Sequence, residues 1–517
     1  MGLLELQRLM SMQRDRRRRH RQIRAQNGSI AAVDKRKGSP CQQDGDDDFL
    51  AAKSMRCSVP ELPEDIWRHI HSLMPLRDAA RSACLSRAFL RSWKCHPTLS
   101  LNRTILGSNT NVRQDNFSCI IEHILRNHSG TGIKTLELDL YGTFDACHYL
   151  DNWLQIAVTP GIEELILTPC GRGKKKYLIP CSLFSDGVRK SIQYLNLSFC
   201  AFRPTAELGP LRKLTSLCLC SVHISGDELE CFLCNSPALE QLDLSDCKEI
   251  ICLKIPCELQ QLRCLKVNCW WLRAIESKAQ NLSSFILRGH RHRVKLSLGE
   301  TLQMKDLCMS RKNLICYARA KLPSSMPNLE SLSIGSSYER VNTPVLPTKF
   351  LFLKRLSITL VTDWTFSPSY DYLSLVSFLD ASPSLETLLL DVAQECMKHE
   401  SVFGGSSHLR QLPEHRHSYL KCVKITGFSS AKSLVELTCY ILKNAKSLEC
   451  LTLNTLYGGR MCDSEDCDRC DPVSKGIYME APRAIAAIRT FIEHKVASTV
   501  KLTVVEPCRR CNADGGF

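Results

Sequence analysis

Five cysteines late in the chain carry the spacing most suggestive of chemistry: Cys462-x4-Cys467-x2-Cys470 and, after a gap of 37 residues, Cys508-x2-Cys511. Paired C-x-x-C knuckles can close a tetrahedron of thiolates around zinc. The gap here is wider than such knuckles use, and its residues have patterns of their own. Pro482 to Lys495 has the period of an amphipathic helix (Ile485, Ile488, Phe491, Ile492), and Val500 to Val504 alternates as a strand. The expectation is therefore free or core thiols, with no metal and no cofactor; Cys467, Cys470, Cys508 and Cys511 stand as weak zinc candidates. Gly171-Arg-Gly173-Lys174-Lys-Lys176 resembles a phosphate cradle but lacks the G-x-x-x-x-G-K-[ST] spacing. His290-Arg-His292 and His415-Arg-His417 read as surface-loop pairs. No G-x-S-x-G elbow, H-E-x-x-H helix or other nucleophile with its base is visible. The chemistry points away from an enzyme.

What those residues decorate is a repeat. The phrase L-x-x-L-x-L occurs thirteen times, beginning at Ile133, Ile162, Ile192, Leu214, Leu239, Leu262, Leu282, Met304, Leu329, Leu353, Leu385, Leu420 and Leu448. The copies start 20 to 35 residues apart, the spacing of leucine-rich repeats with several overlong units. One unit has a single apolar edge and nothing to pack it against. Stacked units share a continuous core, so the fold class is α/β, a leucine-rich-repeat solenoid or horseshoe. The overlong connections Leu360–Pro383 and Val392–Tyr419 are candidate binding loops.

Composition agrees. Hydrophobic residues make up 44% of 517, and no apolar run reaches the ~18 residues of a membrane span. Twenty-nine cysteines would suit a secreted disulfide framework, but many fall just after repeat strands, as in Leu167-Thr-Pro-Cys170, Leu197-Ser-Phe-Cys200 and Leu244-Ser-Asp-Cys247. That slot takes Asn or Cys to satisfy backbone groups at the turn. MGLLELQRLM followed by arginines is not a secretory signal, so a reducing compartment is expected, nucleus and/or cytoplasm. Net charge is +15, and residues 8–37 alone hold eleven Lys/Arg against two Asp. Such a block reads as a disordered basic tail over 1–57, and Arg16–Arg19 with Lys35–Lys37 could form a two-part nuclear import signal.

Residues 58–97 differ from the rest. Leu62-Pro63-Glu64-Asp65 starts a helix carrying Ile66, Ile70 and Leu73; Pro75 breaks it, and Leu76-Arg77-Asp78 starts another, with Ala79, Ala80, Ala83, Cys84 and Leu85 keeping it narrow. Phe89 and Trp93 mark a further helical face. About 40 residues cannot bury enough surface alone, so this hairpin must lean on the solenoid or on a partner.

In order and type, LPEDIWRHIHSLMPLRDAARSACLSRAFLRSW resembles an F-box, matching at Leu62, Pro63, Ile66, Ile70, Leu73, Pro75, Leu76, Ala79, Cys84, Ser86, Arg87 and Trp93. Phe89 stands near where many members place a tryptophan. Joined to the repeats, with a helix-plus-strand ending at 476–517 after a solenoid at 98–475, the chain is similar to plant F-box/leucine-rich-repeat proteins with an FBD-like segment. That resemblance implies a non-catalytic substrate receptor of an SCF-type (Skp–cullin–F-box) ubiquitin ligase. Leu62, Pro63, Ile66, Ile70, Leu73, Pro75, Leu76 and Ala79 would then meet the Skp-type adaptor, and through it the cullin/RING ligase. The alternative is a repeat scaffold or small-molecule sensor without ligase coupling.

The target protein would meet the concave strand face, where residues flanking each second leucine point outward. Of these 26 positions, four are acidic and three basic. The candidate contacts are Glu137, Glu164, Tyr194, Asn196, Gln241, Asp243, Lys266, Asp306, Arg355 and Lys424. A face this near to neutral offers no clustered cations for nucleic acid, and no membrane partner is expected.

Overall fold

The computed structural model describes residues 62–507 apart from 107–114, 130–131, 142–148, 170–175, 206–207, 290–293, 300, 338, 340–341, 362–369, 394–398, 405–407 and 458–474. The chain divides into two compact units, Met1–Cys200 and Ala201–Phe517, at a point within the run of repeats.

The described part of the first unit opens with three short helices whose limits follow from their caps. Pro63 precedes α1 (Glu64–Ser72), Pro75 precedes α2 (Leu76–Ser82) and Ser86 precedes α3 (Arg87–Lys94). Proline is tolerated there because first-turn N–H groups have no intrahelical acceptor to lose. Ser86 caps with its side chain, Oγ accepting from Phe89 N at 3.1 Å. Phe89 turns inward, edge-on to Trp67 at 4.8 Å and tilted against His71 at 5.1 Å, so α1 and α3 close on an aromatic seam.

Four parallel strands follow in ladder order: β1 (Thr98–Leu101), β2 (Thr135–Asp139), β3 (Glu164–Thr168) and β4 (Tyr194–Ser198). β1 is missing from the thirteen phrases because His96 stands where the leading leucine would, in His96-x-x-Leu99-x-Leu101. The substitution has a use. His96 is buried, with one ring nitrogen 3.2 Å from the Met74 carbonyl and the other 3.1 Å from Thr98 N–H. His128, just past α4 (Asp115–Asn127), donates from Nε2 to the His96 carbonyl at 3.0 Å, and Ser129 N donates to the Lys94 carbonyl at 2.8 Å. These polar links tie the helices to the first repeat. The outer side of this unit also carries α5 (Leu150–Ala157).

In the second unit eleven parallel strands form one ladder. They are β5 (Ser216–Cys220), β6 (Gln241–Ser245), β7 (Cys264–Asn268), β8 (Ser284–Leu287), β9 (Asp306–Lys312), β10 (Ser331–Ser337), β11 (Arg355–Val361), β12 (Thr387–Val392), β13 (Cys422–Thr426), β14 (Cys450–Asn454) and β15 (Lys501–Val505). Pairing is in register. Leu217, Leu242, Leu265, Phe285, Leu307, Leu332, Leu356, Leu388, Val423, Leu451 and Leu502 stand opposite one another as a column of core side chains. A slip of one residue would turn every such leucine to solvent, which fixes the register.

The outer side varies from unit to unit. The three units starting at Leu239, Leu262 and Leu282 span 23, 20 and 22 residues, leave little room for a helix, and return through short strands at Cys252–Ile255, Ala274–Ser277 and Lys295–Ser297. Four longer units return through helices, α6 (Gly226–Cys234), α7 (Leu314–Ser325), α8 (Val376–Ala381) and α9 (Lys432–Asn444), whereas the units starting at Leu329 and Leu385 return without a helix among their described residues. A final helix, α10 (Lys475–Ala487), continues as a single π-turn to Ile492. The helix expected to begin at Pro482 therefore starts seven residues earlier and carries that proline inside it. The connection Leu360–Pro383 is no binding loop over its described part. Tyr370, Tyr372 and Phe378 are buried, and residues 372–381 form a short 3-10 turn running into α8.

The helix-free connection between β10 and β11 is pinned, over its described part, by two buried charged groups. Arg319 on α7 donates from Nε to the Ser377 carbonyl (3.0 Å) and hydroxyl (2.9 Å), and from its terminal nitrogens to Thr348 Oγ1 (3.2 Å) and the Leu346 carbonyl (2.6 Å). Glu339 caps the start of α7, accepting from Ile315 N at 3.2 Å and from the Ser336 hydroxyl.

The cysteine slot behaves as expected at Cys200 and Cys247, both buried; Cys170 lies outside the described residues. Cys247 Sγ is 3.5 Å from the Leu219 carbonyl, and burial pushes the Cys200 thiol up to about 12, so it stays protonated. The expectation of free thiols fails at Cys422 and Cys450, which form a disulfide. They are register partners on β13 and β14, and their 5.0 Å Cα separation lies inside the bridging range.

Candidate functional site: a helical docking strip and the outward strand face

Residues of α1 sort onto two faces. Trp67 and His71 pack against Phe89, while Ile66, Ile70 and Leu73, with Leu62 one turn earlier, lie on the other side and are exposed. Among the described residues nothing covers this strip of branched apolar side chains, which makes it a candidate docking surface. Pro63 and Pro75 flank it and are exposed too. Leu76 and Ala79 do not belong to it. Both are buried, because α2 packs its first turn against α3 and β1, and their place is in the hairpin's own core.

Two members were not assigned outward from sequence. Leu85, 78% exposed, and Leu90 are further exposed apolar side chains of the hairpin beyond α1. The signal was there in the spacing of Leu85 and Leu90 against inward Phe89 and Trp93. It became readable only once the direction of α3 was fixed.

The strand face follows the alternation throughout: every repeat leucine is buried and none of the 26 flanking positions is. It does not gather the candidate contacts into one place. In the first unit Glu137 and Glu164 sit on β2 and β3, and Tyr194 and Asn196 on β4, where Asn196 Nδ2 donates to Tyr194 Oη at 3.3 Å. Glu137 accepts from Asn102 Nδ2 at 3.1 Å, and Glu164 from the Thr135 hydroxyl at 3.1 Å. In the second unit Asp243 on β6 stands in register with Lys266 on β7; Gln241 lies on β6 and Asp306 on β9. Arg355 on β11 shares a register row with Asp306, with only Ser331 of β10 between them, and Lys424 lies two strands further on, on β13.

Of the connection Val392–Tyr419, residues 394–398 and 405–407 lie outside the described residues. Its later part borders a cleft of about 480 Å3 between Leu373, Leu409, Leu412, Tyr440, Lys446 and Lys495. Arg410 in this stretch is held by Asp371 through two 2.8 Å bonds and by Glu436 at 2.6 Å, and the guanidinium keeps the Asp371 carboxyl below its usual range. A second cleft of about 260 Å3 lies beside His399, Ser430, Glu480 and Arg483. There Glu480 accepts from Ser430 N at 2.9 Å, and burial lowers His399 to about 4. A neutral imidazole bonded to Tyr372 Oη at 2.9 Å and a carboxylate already serving as a cap are structural pairings. Among the described residues no group of three or more His, Cys, Asp or Glu could hold a metal. Cys467, Cys470, Cys508 and Cys511, and the basic loop at 171–175, lie outside them. Among the described residues no helix is long and apolar enough to cross a membrane.

Known proteins share both parts. The family described as At1g61320/AtMIF1, LRR domain, matches residues 124–509, and the F-box domain family matches residues 59–99. Three Arabidopsis thaliana proteins are similar along most of the chain. F-box/FBD/LRR-repeat protein At1g13570 is 22% identical, covering 77% of this chain and 91% of its own length. F-box/LRR-repeat protein At5g02910 is 23% identical, covering 76% and 87%. FBD-associated F-box protein At4g10400 is 24% identical, covering 77% and 92%. Among solved structures, an internalin of Listeria monocytogenes aligns with 65% of this chain and 94% of its own at 13% identity, with a TM-score of 0.29.

Proposed function

Because this chain belongs to the family described as At1g61320/AtMIF1, LRR domain, and carries an F-box domain ahead of it, we propose that it is the substrate-recognition subunit of an SCF-type ubiquitin ligase. The observation that supports the reading is the strip Leu62, Ile66, Ile70 and Leu73, exposed among the described residues on the side of α1 opposite the aromatic seam. A Skp-type adaptor would cover the strip and link the chain to a cullin/RING ligase, while the strand face holds a target protein. The chain makes and breaks no bonds in this scheme. It acts by proximity, holding a target lysine near the activated ubiquitin and turning a bimolecular encounter into a fixed geometry. The basic runs Arg16–Arg19 and Lys35–Lys37 support placement in the nucleus or cytoplasm, which imaging of a fluorescent fusion with and without those runs tests.

The direct experiment is co-expression of the full chain with a plant Skp-type adaptor, followed by size-exclusion chromatography. Co-elution at equal stoichiometry supports the proposal. A well-folded chain that elutes alone at micromolar adaptor rejects ligase coupling and leaves a repeat scaffold.

A further inference from the structure

We propose that the strand face of the first unit, β2 to β4, is a docking surface for a lysine-bearing basic segment of the target protein. This names the partner chemistry of the face just assigned to the target, and so rests on that reading. The described strand positions facing outward on β1 to β4 are Thr98, Ser100, Thr135, Glu137, Asp139, Glu164, Ile166, Thr168, Tyr194, Asn196 and Ser198, with three carboxylates and no lysine or arginine. Each carboxylate is held by a neutral donor: Glu137 by Asn102, Glu164 by Thr135, and Asp139 by Tyr141 N at 2.9 Å. Among the described residues none of the three forms an ion pair, on a protein whose net charge is +15.

An aromatic platform stands at the exit of the same strands. Tyr141 follows β2 and Phe199 follows β4, yet their rings meet at 5.1 Å across the end of β3. Tyr141 is exposed. Phe199 has φ of 55°, a left-handed conformation shared with Ser221, Asp246 and Asn313 after other strands. Short polar residues tolerate that turn, and a bulky ring there is an outlier. The platform's chemistry is visible in what it already holds. The Lys176 ammonium sits 5.3 Å from the centre of the Phe199 ring, so the aromatic face accepts a primary amine. Glu164 stands opposite Thr135, about 13 Å along the strands from Asp139, so a basic segment running along β2 and β3 would place one cation near Glu164 and Glu137, a second near Asp139 and a third at the ring, displacing Lys176.

The test uses the full-length chain and a fluorescein-labelled peptide of alternating Lys and Ser, twelve residues or roughly 40 Å extended, against its Glu/Ser counterpart. Expected is binding of the Lys peptide alone, weakening steeply with salt. The triple variant Glu137→Gln/Asp139→Asn/Glu164→Gln should lose about tenfold, and Phe199→Asn, which suits the left-handed turn, about threefold. Circular dichroism and adaptor binding should be unchanged in both. Equal binding of the two peptides, or wild-type affinity in the triple variant, overturns the proposal while leaving ligase coupling to its own assay. Binding seen only after Arg16–Arg19 and Lys35–Lys37 are replaced by alanine assigns the face to the chain's own tail and overturns the assignment to a target.

Discussion

The sharpest consequence of the hairpin geometry is a separation between two kinds of leucine and isoleucine. Leu62, Ile66, Ile70 and Leu73 are 38%, 42%, 36% and 73% exposed, together the surface of nearly two whole side chains. Covering one such side chain is worth about 1.5–3 kcal/mol, so a partner seated on the strip gains roughly 3–6 kcal/mol from these residues. Ile66→Glu with Leu73→Glu removes more than half of that and adds two carboxylates that a docked partner must desolvate. A loss of at least about 3 kcal/mol, or more than about 100-fold in Kd, is expected by calorimetry against a purified Skp-type adaptor. Thermal unfolding should barely move, since neither side chain is part of the core. Leu76→Glu is the contrasting variant. Its side chain is buried beside Ala79, so it should lower the unfolding temperature and lose adaptor binding by unfolding the hairpin. Adaptor affinity of the double glutamate variant within threefold of wild type would refute the reasoning.

Other perturbations follow from buried groups. Arg319→Met removes the guanidinium's bonds to the Ser377 and Leu346 carbonyls and should cost about 3 kcal/mol, read as faster hydrogen exchange over 342–350 and α7. His71 and His128 are held below their ordinary range chiefly by burial; the His96 ring adds to this at His71, while at His128 the bond to the His96 carbonyl opposes it in part. The unfolded chain then takes up protons first, so the stability they lend is full above about pH 6.5 and falls as pH drops through the depressed values. Melts of the full chain should be level from pH 8 to 7 and lower at pH 5; a flat profile contradicts the burial argument. Gly427 has φ of 72°, and a Cβ there would overlap the Val392 carbonyl oxygen, so Gly427→Ala should destabilise the last repeats by at least about 2 kcal/mol, measured in urea. Alkylation under non-reducing conditions should label exposed Cys119, Cys234 and Cys257 and spare Cys422 and Cys450 until a reductant is added.

The amino-acid sequence by itself determined the repeat. Thirteen phrases with period-2 alternation fix which residues face inward, since a side chain's direction along a strand depends only on its own backbone. The helix breaks at Pro63 and Pro75 were equally local, and so was the candidate strip on α1. Tertiary structure decided everything that depends on a neighbour distant in the chain. It buried Leu76 and Ala79 and exposed Leu85 and Leu90, because only packing says which side of a short helix has a companion. It filled a leucine's place with His96, bonded to Met74, and turned the connection after Leu360 into buried helix. It also brought Tyr141 to Phe199 across an intervening strand, and Cys422 to Cys450 through register. A repeating pattern specifies directions; identities of contact arise when the repeats are stacked, and unequal repeat lengths leave no constant offset from which they could be read.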